Sequence, residues 1–401
     1  MLATRKKRVL IDARLIDGRS GGIQQVVAGI ASGLRQHPEP NFEICFLCIE
    51  GHTEWILDHL PNWAKIKTVR AKDNGNVQPR RQTTRAILRS HLGHLLGPLS
   101  VRVPKEPTEA KEYSPDLVHF VHQHAFATNC KYLYTPHDFQ HEHLPHYFSK
   151  RELSARRNLY RRLCRGADRV ICISQSCQQD TLRYTGVELE QTALIYNGAF
   201  RRTTNLDTIS QKRELERLGV RRPYIFFPAK TYPHKNHLGL LEAVSILNSR
   251  GIRFNTVFTG PQTDYFHDTI APKIEQLGLA GQISCLGFIN QDQIQALYAH
   301  AKALVFPSHF EGFGIPVVEA FHAGTPVACS RNSSLTEIAG DAAVLFDSTD
   351  NTEIADAIEK VLADDVLRST LQKKGKEIAN LFSWEQSAAK FLSLYEELLI
   401  P

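Results

Sequence analysis

No stretch of the 401-residue sequence approaches the ~18 consecutive apolar residues of a membrane-spanning helix. The apolar start at Val9-Leu10-Ile11 is broken at once by Asp12 and Arg14, too short a run for a secretory signal. There is no low-complexity tract and no short tandem repeat, so fibrous and disordered readings fall away. The G-x-G-x-x-G dinucleotide fingerprint is missing, and no glycine turn is followed by the Lys-Ser/Thr of a phosphate-binding Walker loop. Cys45-x-x-Cys48 has no second C-x-x-C to complete a zinc site, and strand alternation puts its two thiols on opposite faces. Most of the eight cysteines sit in apolar stretches, as reduced thiols do in a cytoplasmic protein, and a cytoplasmic location is the expectation.

What is present is ordinary soluble material: 42% hydrophobic and 22% charged residues. The length is too great for one core and predicts two or three domains. A net charge of +6 and a pI near 8.8 are mildly basic. They fall short of the pI above ~9 expected of a nucleic-acid-binding domain, so no nucleic acid is expected. The excess suits an anionic small molecule, an anionic lipid surface, or plain solubility.

Strands and helices alternate along the chain. "KRVLIDARL" reads as a buried strand, and "SGGIQQVVAGIASGLRQ" as a glycine turn and a helix. "NFEICFLCIE", "PDLVHFVHQ", "KYLYTPHD" and "ADRVICISQS" supply further strands, which fill residues 1–198 with βαβ units. Residues 199–218 read as a linker, polar at first and then weakly helical. A second series occupies 219–382, with strands in "YIFFPAK", "FNTVFTG", "QISCLGF", "ALVFPS" and "PVACS". In "SWEQSAAKFLSLYEELL", Ser383 and Gln386 have capping-box spacing, so a last helix fills 383–401. The predicted fold class is α/β, with two Rossmann-like parallel-sheet domains facing an interdomain cleft, since open parallel sheets bind ligands beyond their strands' carboxyl ends.

Two basic segments stand out. Within 80–105, Arg80, Arg81, Arg85, Arg89, Arg102 and Lys105 interleave with Leu88, Leu92, Leu95, Leu96 and Leu99. This is either a peripheral membrane or anionic-acceptor patch, or a solvated helix whose leucines face the core. "KRELSARRNLYRRLCRGADR" reads as a helix with a solvated basic face over Leu153, Tyr160 and Leu163.

The chemistry concentrates in "HFEGFGIPVVEAFHAGTP", residues 309–326. Pro316 suits a helix start and Gly324 its end. Glu311 then lies in the loop before the helix and Glu319 one turn inside it. Gly312 and Gly314 permit close backbone approach, and the helix N-terminus offers unpaired N–H groups to sugar or phosphate oxygens. Carboxylates accept hydrogen bonds only, so Glu311 and Glu319 suit the vicinal hydroxyls of a ribose or hexose. Acids near a helix N-terminus also favour the dipole, which would account for Glu319 alone but not for the whole constellation. Lys230 and Lys235, at a strand exit in "FPAKTYPHKNH", suit a diphosphate. In the first domain, Gly21 and Gly22 form an anion-accepting turn, and His137 stands at a strand end where it could bind substrate or shuttle a proton.

Together these residues resemble the retaining GT-B glycosyltransferases of glycosyltransferase family 4. "FPSHFEGFGIPVVEAFHAGTPVACS" resembles the family's E-x7-E signature, and "NSSLTEIAGDAAVLFD" its continuation. "IDARLIDGRSGGIQQV" and "TPHD" are similar to its N-terminal glycine turn and His-Asp pair. "FSWEQSAAKFLSLYEELL" resembles its last helix, which crosses back onto the N-terminal domain. The resemblance implies that Glu319 binds the nucleotide ribose, and that Glu311 with the backbone of Gly312, Phe313, Gly314 and Ile315 holds the donor sugar. Lys235 would hold the diphosphate, backbone near Phe288 and Ile289 the base, and His137 the acceptor side of the sugar. Lys230 stands where the family usually has arginine, keeping the charge but not the bidentate fork.

The implied reaction moves a hexosyl group from a GDP-, UDP- or dTDP-linked sugar to a glycan or lipid-linked acceptor, with retention of configuration. Surface polysaccharide synthesis is the expected setting. Catalysis would rest on His137 and Glu311. No Asp-x-Asp occurs, so neither a metal nor any cofactor beyond the nucleotide-sugar co-substrate is expected. A nucleotide-sugar epimerase or phosphorylase on the same fold, or a non-catalytic nucleotide-sugar-binding subunit, are the competing readings.

Overall fold

The computed structural model describes residues 5–16, 21–70, 103–200 and 207–400. The chain divides into two compact units, Met1–Gly198 with Ser383–Pro401, and Ala199–Phe382. The basic stretch 80–105 lies largely outside the described residues.

The first unit is built on a seven-stranded sheet of β1 (Arg8–Asp12), β2 (Glu43–Ile49), β3 (Lys65–Val69), β4 (Leu117–Phe120), β5 (Lys131–Tyr134), β6 (Arg169–Cys172) and β7 (Thr192–Leu194). Their order is β3-β2-β1-β4-β5-β6-β7, and every pairing is parallel. β1, β2 and β4 are buried on both faces, the reason their sequences are apolar runs rather than alternating patterns. Parallel strands end on one edge, so the segments after β1, β4 and β5 share it. The strand order reverses between β1 and β4, the switch point beside which open α/β sheets bind their ligands. Cys45 and Cys48 are both fully buried in β2, and all eight cysteines are free thiols.

Helix α1 (Gly22–Leu34) follows β1, and α2 (Lys150–Gly166) precedes β6. A reciprocal capping box between Ser149 and Glu152 starts α2. Tyr160, Leu163 and Cys164 form its buried stripe while Leu153 is only half-buried, and its arginines lie on the wetter face.

The second unit holds a six-stranded sheet of β8 (Tyr224–Pro228), β9 (Asn255–Thr259), β10 (Ile283–Cys285), β11 (Ala303–Phe306), β12 (Val327–Ser330) and β13 (Ala343–Phe346), in the order β10-β9-β8-β11-β12-β13, again all parallel. Its helices include α3 (Thr208–Arg217), α4 (His237–Ser249), α5 (Gln291–His300), α6 (Ile315–Ala323) and α7 (Ser333–Ala339). α3 lies inside the stretch read from sequence as linker. Asp207 caps it by accepting the Ser210 N–H at 2.7 Å, and Leu215 is buried where the helix packs on α5. Each sheet is all-parallel with helices between its strands, the Rossmann-like arrangement.

The final helix, α8 (Trp384–Leu399), belongs to the first unit and packs along α1. Ser383 accepts the Gln386 N–H at 3.2 Å to start it. Its buried face includes Ala388, Phe391, Leu394, Tyr395 and Leu398. Tyr395 reaches the sheet, its hydroxyl 2.7 Å from Nδ1 of His119 on β4. Glycines on α1 make the approach possible: a Cβ on Gly29 would strike the Trp384 indole, and one on Gly33 the Trp384 backbone carbonyl. Backbone cannot turn aside as a side chain can. Gly33→Ala is therefore expected to lower stability by about 1–3 kcal/mol despite alanine's better helix propensity, read as a lower urea midpoint. An unchanged or raised midpoint would contradict this packing.

Candidate active site

β11 is fully buried and runs out into the glycine loop. Gly314 caps α6 with φ of 103°, a conformation costly for any residue with a Cβ, and an added Cβ there would also press on Leu335. Pro316 occupies the second helical position rather than the first, because Ile315 already has helical geometry. Gly324 ends the helix with φ of 72°.

The loop is held from three sides at Glu311. Its N–H donates to Ser333 Oγ at 3.0 Å, and its carbonyl accepts from Ser334 Oγ at 2.9 Å, both at the start of α7. Its Oε1 accepts from Lys235 Nζ at 2.6 Å, with only 12% of the Glu311 side chain and 18% of Lys235 exposed. The ammonium also lies 5.7 Å from the Phe306 ring centre. The Lys235 turn is tied down in its turn. His309 N–H donates to His234 O at 2.8 Å. Asn236, at φ 60°, accepts the Gly239 N–H at 3.1 Å to cap α4 and donates to Ser348 O at 2.8 Å. Two residues assigned to different parts of a donor, Lys235 and Glu311, are thus brought into one ion pair.

Glu319, one turn into α6, is 6% exposed, and its Oε2 accepts from the Tyr298 hydroxyl at 2.8 Å. Lys230 follows β8; burial pushes its ammonium down from the usual lysine value, and Lys235 pushes the same way. Phe313 is buried edge-on against Phe382, at 5.5 Å between ring centres, so its side chain anchors the loop. Ile289 is half-buried beyond β10, beside Phe288, whose ring is 80% exposed.

In the first unit, Gly21 caps α1 with φ of 54° and its carbonyl takes the N–H groups of Gln24 and Gln25. No acidic residue lies in the first turn of α1. His137, after β5, has φ of 66° and donates from Nε2 to Val121 O at 2.5 Å. Burial lowers its pKa to about 4, so near pH 7 it is a neutral imidazole with Nδ1 as acceptor. It suits receiving a hydrogen bond from a hydroxyl better than carrying a charge.

Sequence reading missed a cluster on the same sheet edge. Arg14 donates from Nε and Nη2 to the two carboxylate oxygens of Asp12 at 2.7 and 2.8 Å, and His122 Nε2 lies 3.3 Å from Asp12 Oδ1. Burial opposes the Asp12 charge, but Arg14 and His122 outweigh it and hold the carboxyl well below its usual range. The available signal was an Asp-x-Arg directly after the apolar run Val9-Leu10-Ile11.

Two family descriptions match the chain: Glycosyltransferase Family 4 over residues 68–199 and Glycosyl transferases group 1 over 209–378. The fold and these matches define a GT-B glycosyltransferase architecture. The chain belongs to glycosyltransferase family 4. Among curated proteins, the Escherichia coli O-antigen chain mannosyltransferase B is 33% identical over 176 residues, 44% of this chain and 46% of that protein. The E. coli serotype-specific mannosyltransferase WbdA is 27% identical over 237 residues, 58% of this chain and 29% of that one. The match therefore spans less than half the length of either relative. Anabaena HepE, solved with UDP and glucose, shares the fold at a TM-score of 0.71 and 19% identity, over 98% of this chain and all of that one. Sucrose-phosphate synthase from Thermosynechococcus elongatus does so at 0.72 and 19%, over 98% and 99%. Among the described residues no helix is long and apolar enough to cross a membrane.

Buried histidines give the protein an acid limit. Burial lowers His119 to about 3 and His137 and His141 to about 4 in the first unit, and His234 and His237 to about 3 in the second. In the unfolded chain each titrates near 6.5. Between these values the unfolded state binds more protons, so stability is full above about pH 6.5 and falls as pH drops toward 4. Each group contributes a slope of at most about 1.4 kcal/mol per pH unit. Urea midpoints are expected to be clearly lower at pH 5 than at pH 7.5; equal midpoints would contradict the buried neutral state.

Proposed function

We propose that the protein transfers a hexosyl group from a nucleoside-diphosphate sugar to a glycan or lipid-linked acceptor, with retention of configuration and without a metal. The observation that carries this reading is the buried acid pair at the mouth of α6: Glu311 clamped beside Lys235, and Glu319 one turn into the helix. Glu319 takes the ribose hydroxyls. Glu311 and the backbone of Gly312, Phe313, Gly314 and Ile315 take the sugar, and the backbone at Ile289 takes the base. The C1–oxygen bond to the diphosphate breaks and the leaving oxygen keeps the electron pair. Lys230, Lys235 and the positive end of the helix dipole stabilise that growing charge. The acceptor oxygen bonds to C1, and its proton passes to the leaving diphosphate oxygen. In the first unit, Gly21 and Gly22 offer backbone N–H groups to an anion, and neutral His137 accepts from a hydroxyl of the acceptor. Mannosyltransferase relatives and the UDP of HepE support a nucleotide-sugar donor.

Thermal-shift assays with GDP, UDP, dTDP and ADP, free and sugar-linked, with and without EDTA, test the donor site. One nucleotide family should stabilise the protein regardless of EDTA, and Glu319→Ala should abolish the shift while keeping the unliganded melting point within a few degrees. A Glu319→Ala protein that binds as tightly as the parent would remove the ribose role. For His137, asparagine is the informative replacement, since it tolerates a positive φ where alanine is strained. His137→Asn is expected to leave donor affinity within about twofold and to slow transfer by about 10²-fold or more, within the usual contribution of a catalytic proton-handling group. Undiminished turnover would take His137 out of the reaction.

A further inference from the structure

We infer that Tyr298 is a positioning residue for Glu319, holding its carboxylate in the orientation that meets a nucleotide ribose; this rests on the donor reading above. Tyr298 lies near the end of α5, fully buried, and its hydroxyl donates to Glu319 Oε2 at 2.8 Å. The ring itself is fixed. It stands edge-on to Phe226 of β8, 5.0 Å between centres at 82°. The Tyr298 backbone carbonyl accepts from Thr325 Oγ1 at 2.7 Å, and the Thr325 N–H bonds Ala320 O at 2.8 Å, so the ends of α5 and α6 are tied together.

The need for such a holder follows from the side chain. The last torsion of a glutamate is broad and roughly twofold, so a carboxylate with no fixed donor samples many orientations. A diol is recognised well only when its acceptor oxygens are already in place, because ordering them on binding costs affinity. A hydrogen bond from a rigid, buried phenol removes that freedom at Oε2. Each carboxylate oxygen has lone pairs to spare, so the phenol does not use up the group's capacity to accept. Phenylalanine at 298 would keep the ring and the packing and lose only the hydroxyl.

The test compares ligands that differ only in the ribose. UDP, GDP and ADP are each titrated by calorimetry beside their 2′,3′-dideoxy counterparts, into the parent protein, Tyr298→Phe, Glu319→Gln and the double variant. For the nucleotide that binds, the parent should prefer the ribose form over the dideoxy form. Tyr298→Phe should shrink that preference about threefold to tenfold, the worth of one hydrogen bond, while leaving dideoxy affinity unchanged. Glu319→Gln should shrink it at least as far, and Tyr298→Phe should add nothing on top of it. Equal loss for ribose and dideoxy forms in Tyr298→Phe would mean a merely structural role and overturn the inference. An unchanged preference in Tyr298→Phe alongside a lost one in Glu319→Gln would overturn it too, with the donor reading intact. An unchanged preference in Glu319→Gln overturns the ribose role itself. If Tyr298→Phe fails to fold, the Glu319→Gln protein carries the test through a second tyrosine variant: adding Tyr298→Leu to it must leave both affinities where they are, and a further loss of ribose preference contradicts the inference.

Discussion

A carboxylate taken out of water must be given a partner, and two such groups organise the second unit. Glu311 and Glu319 are both mostly buried, one against the Lys235 ammonium and the other against the Tyr298 hydroxyl. Leaving one member of a buried ion pair alone costs about 3–5 kcal/mol, more than most loops can absorb. The surrounding bonds follow from that constraint. Ser333 and Ser334 hold the Glu311 backbone, Asn236 and His234 hold the Lys235 turn, and Gly314, with φ of 103°, turns the chain from the loop into α6. Acids, cation and amides stand in place before any ligand arrives, so binding does not have to organise them.

The two sheets contribute the other half of the arrangement. Parallel pairing sends every strand's carboxyl end to one edge, so residues far apart in sequence gather there without long loops. In the first unit this edge holds Asp12, Arg14, His122 and His137, all with buried side chains; Asp12 is paired with Arg14 and faces His122, and burial keeps His137 neutral. α8 closes the unit by lying on α1 at glycine positions, fixing the helix whose N-terminus carries Gly21 and Gly22.

The central strands were legible because burial on both faces forces apolar runs such as "RVLID" and "EICFLCI". β3, β7 and β13 were not read as strands, for the opposite reason. They lie at sheet edges and are only partly buried: "KIKTV" and "TAL" carry no apolar run, and "AVLF" is a run of four residues behind the short helix α7. α3 read as only weakly helical within the linker stretch because a single buried leucine is a faint helical signal. At the site, Glu311, Gly314 and Glu319 were legible, since a glycine loop and two acids before a helix are local features. Tyr298, Ser333 and Ser334 were not. Their separations of 21 to 23 residues from the acids they serve have no period of their own and arise only when neighbouring βα units stack. The charge state of His137 was equally invisible, because burial, which outweighs the opposing Val121 hydrogen bond, decides it rather than its sequence neighbours.

The most direct measurement is a crystal structure of the protein grown with a nucleotide sugar, GDP-mannose and UDP-glucose being the first to try. The account predicts the ribose hydroxyls at hydrogen-bonding distance from Glu319, the hexose against Glu311 and the Gly312–Gly314 backbone, and the diphosphate within reach of Lys235. A nucleotide bound elsewhere, or one whose ribose points away from Glu319 while the Lys235–Glu311 pair stands untouched, would contradict it.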